Sequence, residues 1–279
     1  WQLDAYQQLV DNHPEKFQMI HTKQDLNHII DIWDQLLRAE EVENMDKYAP
    51  VGLVILMEGA EGVRSVDELE NWWERGVRII GPAWAGTRFC GGTNEPGPLT
   101  RDGYELLTVM SDIGFALDIS HMDEEAALQA LDFYPSTIIA SHANAKALLP
   151  KTSSNRFLSD RVIAGLIERG GMAGVVPYNG HLCHDWKDGD DRNRVPLHYV
   201  IDQIDYYCQI AGNADHVGIG TDFDGGFGLQ STPDGIDTIA DLQKLAPMLA
   251  NKGYAKDEIK SVFGSNWLRY LDDILPENS

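Results

Sequence analysis

The segment Phe115–Ala143, FALDISHMDEEAALQALDFYPSTIIASHA, limits the possible folds more than any other part of the chain. Two short apolar runs, FALDIS and TIIAS, flank a helix-like stretch, and each run ends in a histidine, His121 and His142. This pattern predicts a strand, a crossover helix and a second, parallel strand. Parallel β/α barrels build their active sites at the carboxyl ends of their strands. Imidazole is also the commonest protein ligand for metals. The unit therefore predicts a metal site in the mouth of a barrel.

The same alternation runs through all 279 residues and predicts one α/β domain over 1–279. Strands are expected at Phe17–His21, Val51–Met57, Val77–Trp84, Phe115–Ser120, Thr137–Ser141, Met172–Tyr178 and His216–Asp222. Helices are expected at about 3–13, 23–40, 66–75, 101–113, 123–133, 158–169, 196–211, 236–251 and 256–273. Thr100 and Ser159 stand where helix N-caps belong, and Gly170–Gly171 where a helix should stop. Two Gly/Pro-rich stretches, Ala85–Pro98 and Tyr178–Pro196, read as long loops over a site. Seven strands are one short of a (β/α)8 TIM-type barrel. The chain also opens on WQLDAYQQLV, which reads as a helix already under way. The expectation is a barrel domain that is incomplete at its N-terminus, with its first strand upstream of Trp1.

A formal net charge of −22 argues against nucleic acid or an anionic membrane surface as partner, since both require clustered Lys and Arg. The longest apolar run, VGLVILM, falls far short of the roughly 18 residues of a membrane span. Cys90, Cys183 and Cys208 are too few and too scattered for a disulfide framework or a CxxC metal knuckle. That favours a reducing, cytoplasmic setting, although an export signal could lie upstream of Trp1.

Four residues fall at the ends of four different expected strands: Glu58, His121, His142 and Asp222. Two imidazoles and two carboxylates suit Zn2+ or a related divalent ion, and a carboxylate can bridge two ions. Asp224 either shares the role of Asp222 or caps the Gly225–Gly226 turn. Asp118 is expected to be a buried, hydrogen-bonded support. His181, Cys183 and His184 lack knuckle spacing and read as a loop surface; His13, His21, His28, His198 and His216 are assigned no role. Arg88 and Arg156 lie near the expected barrel mouth, where a guanidinium fork could hold a substrate carboxylate. A structural salt bridge is the competing role for each.

The stretches LMEGAEG, PLTRDGYELLTVMSDIGFALDISH, ASHANAKAL, RFLSD, HVGIGTDFDGG and FGSNWLRYL resemble the membrane (renal) dipeptidases, zinc peptidases of the metal-dependent amidohydrolase superfamily. The resemblance runs from about residue 10 to the C-terminus. It implies a zinc-dependent dipeptidase acting through a metal-activated hydroxide, with two Zn2+ in the complete family enzyme. By the same resemblance Glu58 bridges the ions, and His121 and His142 complete the second zinc site. Asp222 carries the proton to the leaving amine, and Arg156 pairs with the free carboxylate of a dipeptide or related amide. A homodimer is a further implication.

Two positions depart from the family pattern. Its first zinc site uses a His-x-Asp pair on the first strand; the nearest lookalike here, His21-Thr22-Lys23, has lysine in place of aspartate and sits on a later strand. The chain as it stands is therefore expected to hold one Zn2+ or none. On the third strand the family carries a substrate-binding histidine, and here Trp84 stands near that position, which makes Trp84 a wall of the pocket and Arg88 a candidate substitute. The missing histidine keeps a deacylase or lactonase of the same superfamily as an alternative. The missing pair keeps a non-catalytic, ligand-binding barrel.

Overall fold

The computed structural model describes residues 1–38, 49–223 and 225–277; Asp224 lies outside them. Its strands are β1 (Phe17–Met19), β2 (Val51–Leu53), β3 (Ile55–Glu58), β4 (Val77–Gly81), β5 (Cys90–Gly92), β6 (Glu95–Leu99), β7 (Ala116–Asp118), β8 (Ile138–Ala140), β9 (Met172–Val175) and β10 (Val217–Ile219). Six of them form one sheet in the order β10-β9-β8-β7-β4-β3, and β1 pairs separately with β2. Every one of these pairings is parallel. Only Val54 separates β2 from β3, so the expected strand Val51–Met57 is one path with a break. All seven expected strands are therefore present, adjacent in chain order, as a β/α barrel requires.

The observed strands are shorter than expected. Val77–Trp84 pairs only to Gly81, and Met172–Tyr178 only to Val175, because the chain leaves the ladder to build the mouth of the site. The expected loop Ala85–Pro98 holds the antiparallel hairpin β5–β6, turned at Asn94 with φ +63°. The expected loop Tyr178–Pro196 contains a short helix, Asn179–Leu182. The last expected helix is three pieces: Lys256–Lys260, a π-helical turn over Ser261–Ser265, and Asn266–Ile274.

The two faces of the central strands pack against different partners. Ile80, Leu117, Ile138 and Val175 face the outer helices and share a core with Leu106, Leu107 and Met110 of helix Arg101–Ile113. Ile79, Ala116, Ile139 and Met172 face the opposite way and meet Tyr270. Buried on both faces, these parallel strands read as continuous apolar runs, and that is why they were visible in the sequence. Helix Asn266–Ile274 presents Trp267, Tyr270, Leu271 and Ile274 at helical spacing. It runs from Ile219 on β10, whose carbonyl accepts the Trp267 indole N–H at 3.1 Å, to Val54 beside β2 and β3. Among the described residues no ladder joins β10 to β1, and this helix covers that side of the sheet. None of the described helices is long and apolar enough to cross a membrane.

Below the mouth the backbones crowd. A Cβ on Gly174 would strike the Ser141 carbonyl and the Gly220 Cα, and one on Gly220 would strike the Ser141 carbonyl and the Gly174 Cα. Only hydrogen fits there. Gly174→Ala is expected to lower unfolding stability by about 1–3 kcal/mol, the usual range for overpacking, read as a lower urea midpoint with unchanged slope.

Candidate metal centre and substrate cavity

Glu58 ends β3, and its register partner on β4 is Gly81. A side chain at Gly81 would stand between β3 and β7. Glu58 reaches past Gly81 to the histidines beyond β7 and β8. The Oε1 of Glu58 lies 3.0 Å from the Nε2 of His121 and 3.0 Å from the Nε2 of His142. The two Nε2 atoms are themselves 3.0 Å apart. Among the described residues these three form the metal-capable cluster. The donors mark a near-equilateral triangle close in size to one face of a zinc tetrahedron, whose edge is about 3.3 Å for donor distances near 2 Å.

The charge states suit a cation. Hydrogen bonds from both imidazoles hold the Glu58 carboxyl well below the usual carboxylate range. Burial pushes His121 down to about 4, against the pull of Glu58, so this imidazole is neutral at physiological pH. A carboxylate and two imidazoles converging on one point can act as a set of electron-pair donors to a cation.

The imidazoles are oriented from behind. The Nδ1 of His121 faces the Thr93 hydroxyl at 2.9 Å. The Nδ1 of His142 faces the Ser141 hydroxyl at 2.7 Å, and that hydroxyl also reaches Asp118 Oδ2 at 2.5 Å. Asp118 Oδ1 accepts the backbone N–H groups of Ser120 and Ser141, both at 2.9 Å. The expected support role of Asp118 is thus seen in its bonds. His121 and Asp222 carry φ of +68° and +55°, a left-handed conformation costing about 1–2 kcal/mol per non-glycine residue. A His-x-Asp spacing does occur just after β7, at His121–Asp123. The Asp123 carboxylate there caps helix Glu124–Phe133 through the Glu125 N–H, away from the cluster.

The cluster opens into a cavity of about 590 Å3 lined by Glu58, Trp84, His121, Arg156, His181 and Asp222 among others. Asp222, from the loop after β10, is half-buried; burial and the nearby Glu58 carboxylate push its carboxyl up, partly offset by His142 and Arg156. Arg156 is buried, with its Nη2 donating to the His142 carbonyl at 2.6 Å. Its Nε and Nη1 have no partner among the described residues. Two unmet guanidinium donors beside a cavity suit an incoming anion. Trp84 stacks on His121 with ring centroids 5.7 Å apart.

Two expectations are corrected. Arg88 does not enter the cavity; its guanidinium donates to the Val63 carbonyl at 3.0 Å, lies over the Phe89 ring and sits 3.8 Å from Asp102. Its long side chain reaches the outside of the hairpin instead. His181, expected on a loop surface, lines the cavity, its ring packed edge-on against Phe157 and Tyr178. Asn144 ties that loop down, its Nδ2 donating to the carbonyls of Val176 and His181. Sequence reading also passed over Thr93, Ser120, Ser141 and Tyr178. The one local signal was the serine directly before each histidine.

A family model described as membrane dipeptidase, peptidase family M19, matches residues 1–276. The chain belongs to the membrane dipeptidase family. An uncharacterised Klebsiella pneumoniae protein in the pqqA 5' region is 32% identical over 248 residues, covering 85% of this chain and 88% of that protein. Dipeptidase tcpJ of Claviceps purpurea is 24% identical over 261 residues, 89% of this chain but 58% of its own length. The fold matches that of a Rhodobacter sphaeroides metallopeptidase solved with a phosphinate mimic of L-Ala-D-Ala: TM-score 0.76, 24% identity, 97% of this chain and 73% of that one. It also matches the probable dipeptidase PvdM of Pseudomonas aeruginosa, with TM-score 0.79, 20% identity, 98% of this chain and 78% of that one. Family membership and the donor cluster together mark this as a dipeptidase-family fold with a metal-capable centre.

The buried neutral histidines set a pH dependence. An unfolded histidine takes up its proton near 6.5, whereas folded His121 does so only near about 4, and burial holds His181 well below its ordinary value too. Between these values the unfolded chain binds more protons, so stability rises with pH. Metal-free protein is expected to lose stability steadily as pH falls from about 6.5 towards 4. Urea midpoints that stay flat across that window would contradict these burial effects.

Proposed function

We propose that the chain is a zinc-dependent dipeptidase, with a divalent cation held by Glu58, His121 and His142. The observation that carries this reading is the meeting, in one cavity, of three converging metal donors and a buried arginine with two unused donors. A cation bound there would polarise the scissile carbonyl and make water a nucleophile near neutral pH. Arg156 fixes the free carboxylate of the substrate through its Nε and Nη1, which sets the distance from that carboxylate to the reacting bond. Asp222, its affinity for a proton raised by burial, takes a proton from the attacking water and delivers it to the leaving nitrogen. Trp84, Phe157, Tyr178, Trp186 and Phe227 supply apolar walls for the substrate side chains.

Those walls also suit an acyl chain, which supports a second reading as a deacylase of N-acyl amino acids. A panel of L,L- and L,D-dipeptides, N-acyl amino acids and lactones, assayed with added Zn2+, separates the two. Turnover of dipeptides, abolished in His142→Ala together with zinc retention on gel filtration, is the expected result. Turnover confined to N-acyl amino acids or lactones would replace the first reading with the second. Full activity in His142→Ala would end both.

Arg156 makes a separate prediction. Arg156→Lys keeps the charge but loses the fork, and is expected to raise KM for dipeptides by at least 10-fold with little change in kcat. The same variant should narrow the preference for a dipeptide over its C-terminal amide. An unchanged preference would remove Arg156 from substrate binding.

A further inference from the structure

The side-chain amide of Asn155 joins segments that lie far apart in the chain. Its Oδ1 accepts the backbone N–H of Asn94 at 2.9 Å. Its Nδ2 donates to the Gly92 carbonyl at 2.9 Å and to Asp123 Oδ1 at 2.7 Å. Turning the amide over would set its oxygen against a carbonyl and a carboxylate, so its orientation is fixed. The amide grips the hairpin turn on both sides of Thr93, as a neighbouring strand would. Thr93 is the residue whose hydroxyl meets His121 Nδ1, and its backbone N–H donates to the Trp84 carbonyl at 2.9 Å.

Arg156 is the next residue along the chain. Beyond it, the Leu158 N–H donates to the Asn144 carbonyl at 3.0 Å, and the Leu158 carbonyl accepts the Lys146 N–H at 2.8 Å. Before it, the bonds made by 150–154 are local: Thr152 to Leu149, Ser154 to Thr152, and Arg156 to Ser154. Among the described residues, Asn155 is therefore the tie that holds this loop from its N-terminal side. The Arg156 guanidinium hangs between the two anchors with two donors unmet. Thr93, Asn94, Ser154 and Arg156 all line the substrate cavity.

We infer that Asn155 is a positioning residue for substrate binding: it locks the loop carrying Arg156 to the hairpin turn behind His121, and so fixes the distance from the guanidinium to the metal-capable donors. The inference rests on the proposed role of Arg156 in holding the substrate carboxylate. A displacement of 1 Å in a group that places the substrate can cost about 100-fold.

Asn155→Ala removes all three bonds. With zinc added, it is expected to raise KM for dipeptides about 10-fold with little change in kcat. It should also narrow the preference for a dipeptide over its C-terminal amide, which a merely structural role would leave alone. Combined with Arg156→Lys, the increases in KM should not multiply, because both act through one guanidinium. Asn155→Asp sets a carboxylate against that of Asp123 and should do as badly as alanine. Adding Asp123→Asn restores a donor and an acceptor between the two positions. It also keeps the cap on Glu125, since asparagine caps as well as aspartate. This reciprocal pair should recover most of the preference.

A folded Asn155→Ala variant with the parent KM and preference would overturn the inference, as would a reciprocal pair no better than Asn155→Asp alone. Should Asn155→Ala fail to fold, the reciprocal pair carries the test. A parent chain that turns over no dipeptide would overturn the dipeptidase reading instead. Tryptophan fluorescence of zinc-free protein, titrated with N-acetylalanine and with its amide, then decides the linkage. The parent and the reciprocal pair should favour the free acid, and Asn155→Ala and Asn155→Asp should not. Equal discrimination in the parent and the single variants, or none in the parent, would overturn the inference.

Discussion

The parallel register of β3, β4, β7 and β8 is the constraint on which everything else depends. Neighbouring strands lie about 4.8 Å apart, so side chains at the ends of β3 and β7 are separated by the whole width of β4. Glu58 spans that width, passing its register partner Gly81, which contributes no side chain. On the far side, Leu117 pairs with Ile138 and Asp118 with Ile139. That pairing brings the two Ser-His dipeptides that follow β7 and β8 to the same height. Slipping one strand by a residue would turn its interior set outwards, and the donor triangle would not form.

The site is assembled at the expense of local stability. Two of its residues, His121 and Asp222, sit in left-handed backbone. Burial disfavours the charged forms of His121 and His181, and Arg156 is buried with donors unmet. Such features persist where the surroundings over-determine them. Here the surroundings are the apolar layer of Ile80, Leu117 and Ile138 against the helix of Leu106, Leu107 and Met110. A ligand bound at such a site would offset the deficit, because it binds the folded chain and not the unfolded one.

The site also divides into parts of different rigidity. Asp118, Ser120 and Ser141 form a closed network on the interior strands, with every hydroxyl accounted for. The outer walls, Trp84 and the loop bearing Tyr178 and His181, come from segments beyond the ladders. The support behind the metal-capable donors thus belongs to the scaffold, and the cavity walls to the connections. This is the usual division of labour in β/α barrels.

Much of this was legible in the chain itself. Strands buried on both faces must be written as unbroken apolar runs, so all seven were readable, as were the caps at Thr100 and Ser159. Glu58, His121, His142 and Asp222 were readable because each follows such a run directly. The hairpin β5–β6 was not, since CGG and EPGPL carry neither alternation nor β-branched residues. The direction of Arg88, the burial of His181 and the Ser141 junction were equally hidden. Each depends on which residue far along the chain arrives beside it: Asp102 and Val63 for Arg88, Asn144 for His181, Asp118 for Ser141. Periodicity is local, so the sequence alone determined the elements and the donors at their ends. Hydrogen bonds and burial arise between distant segments, so only the tertiary structure decided which donors meet and what stands behind each one.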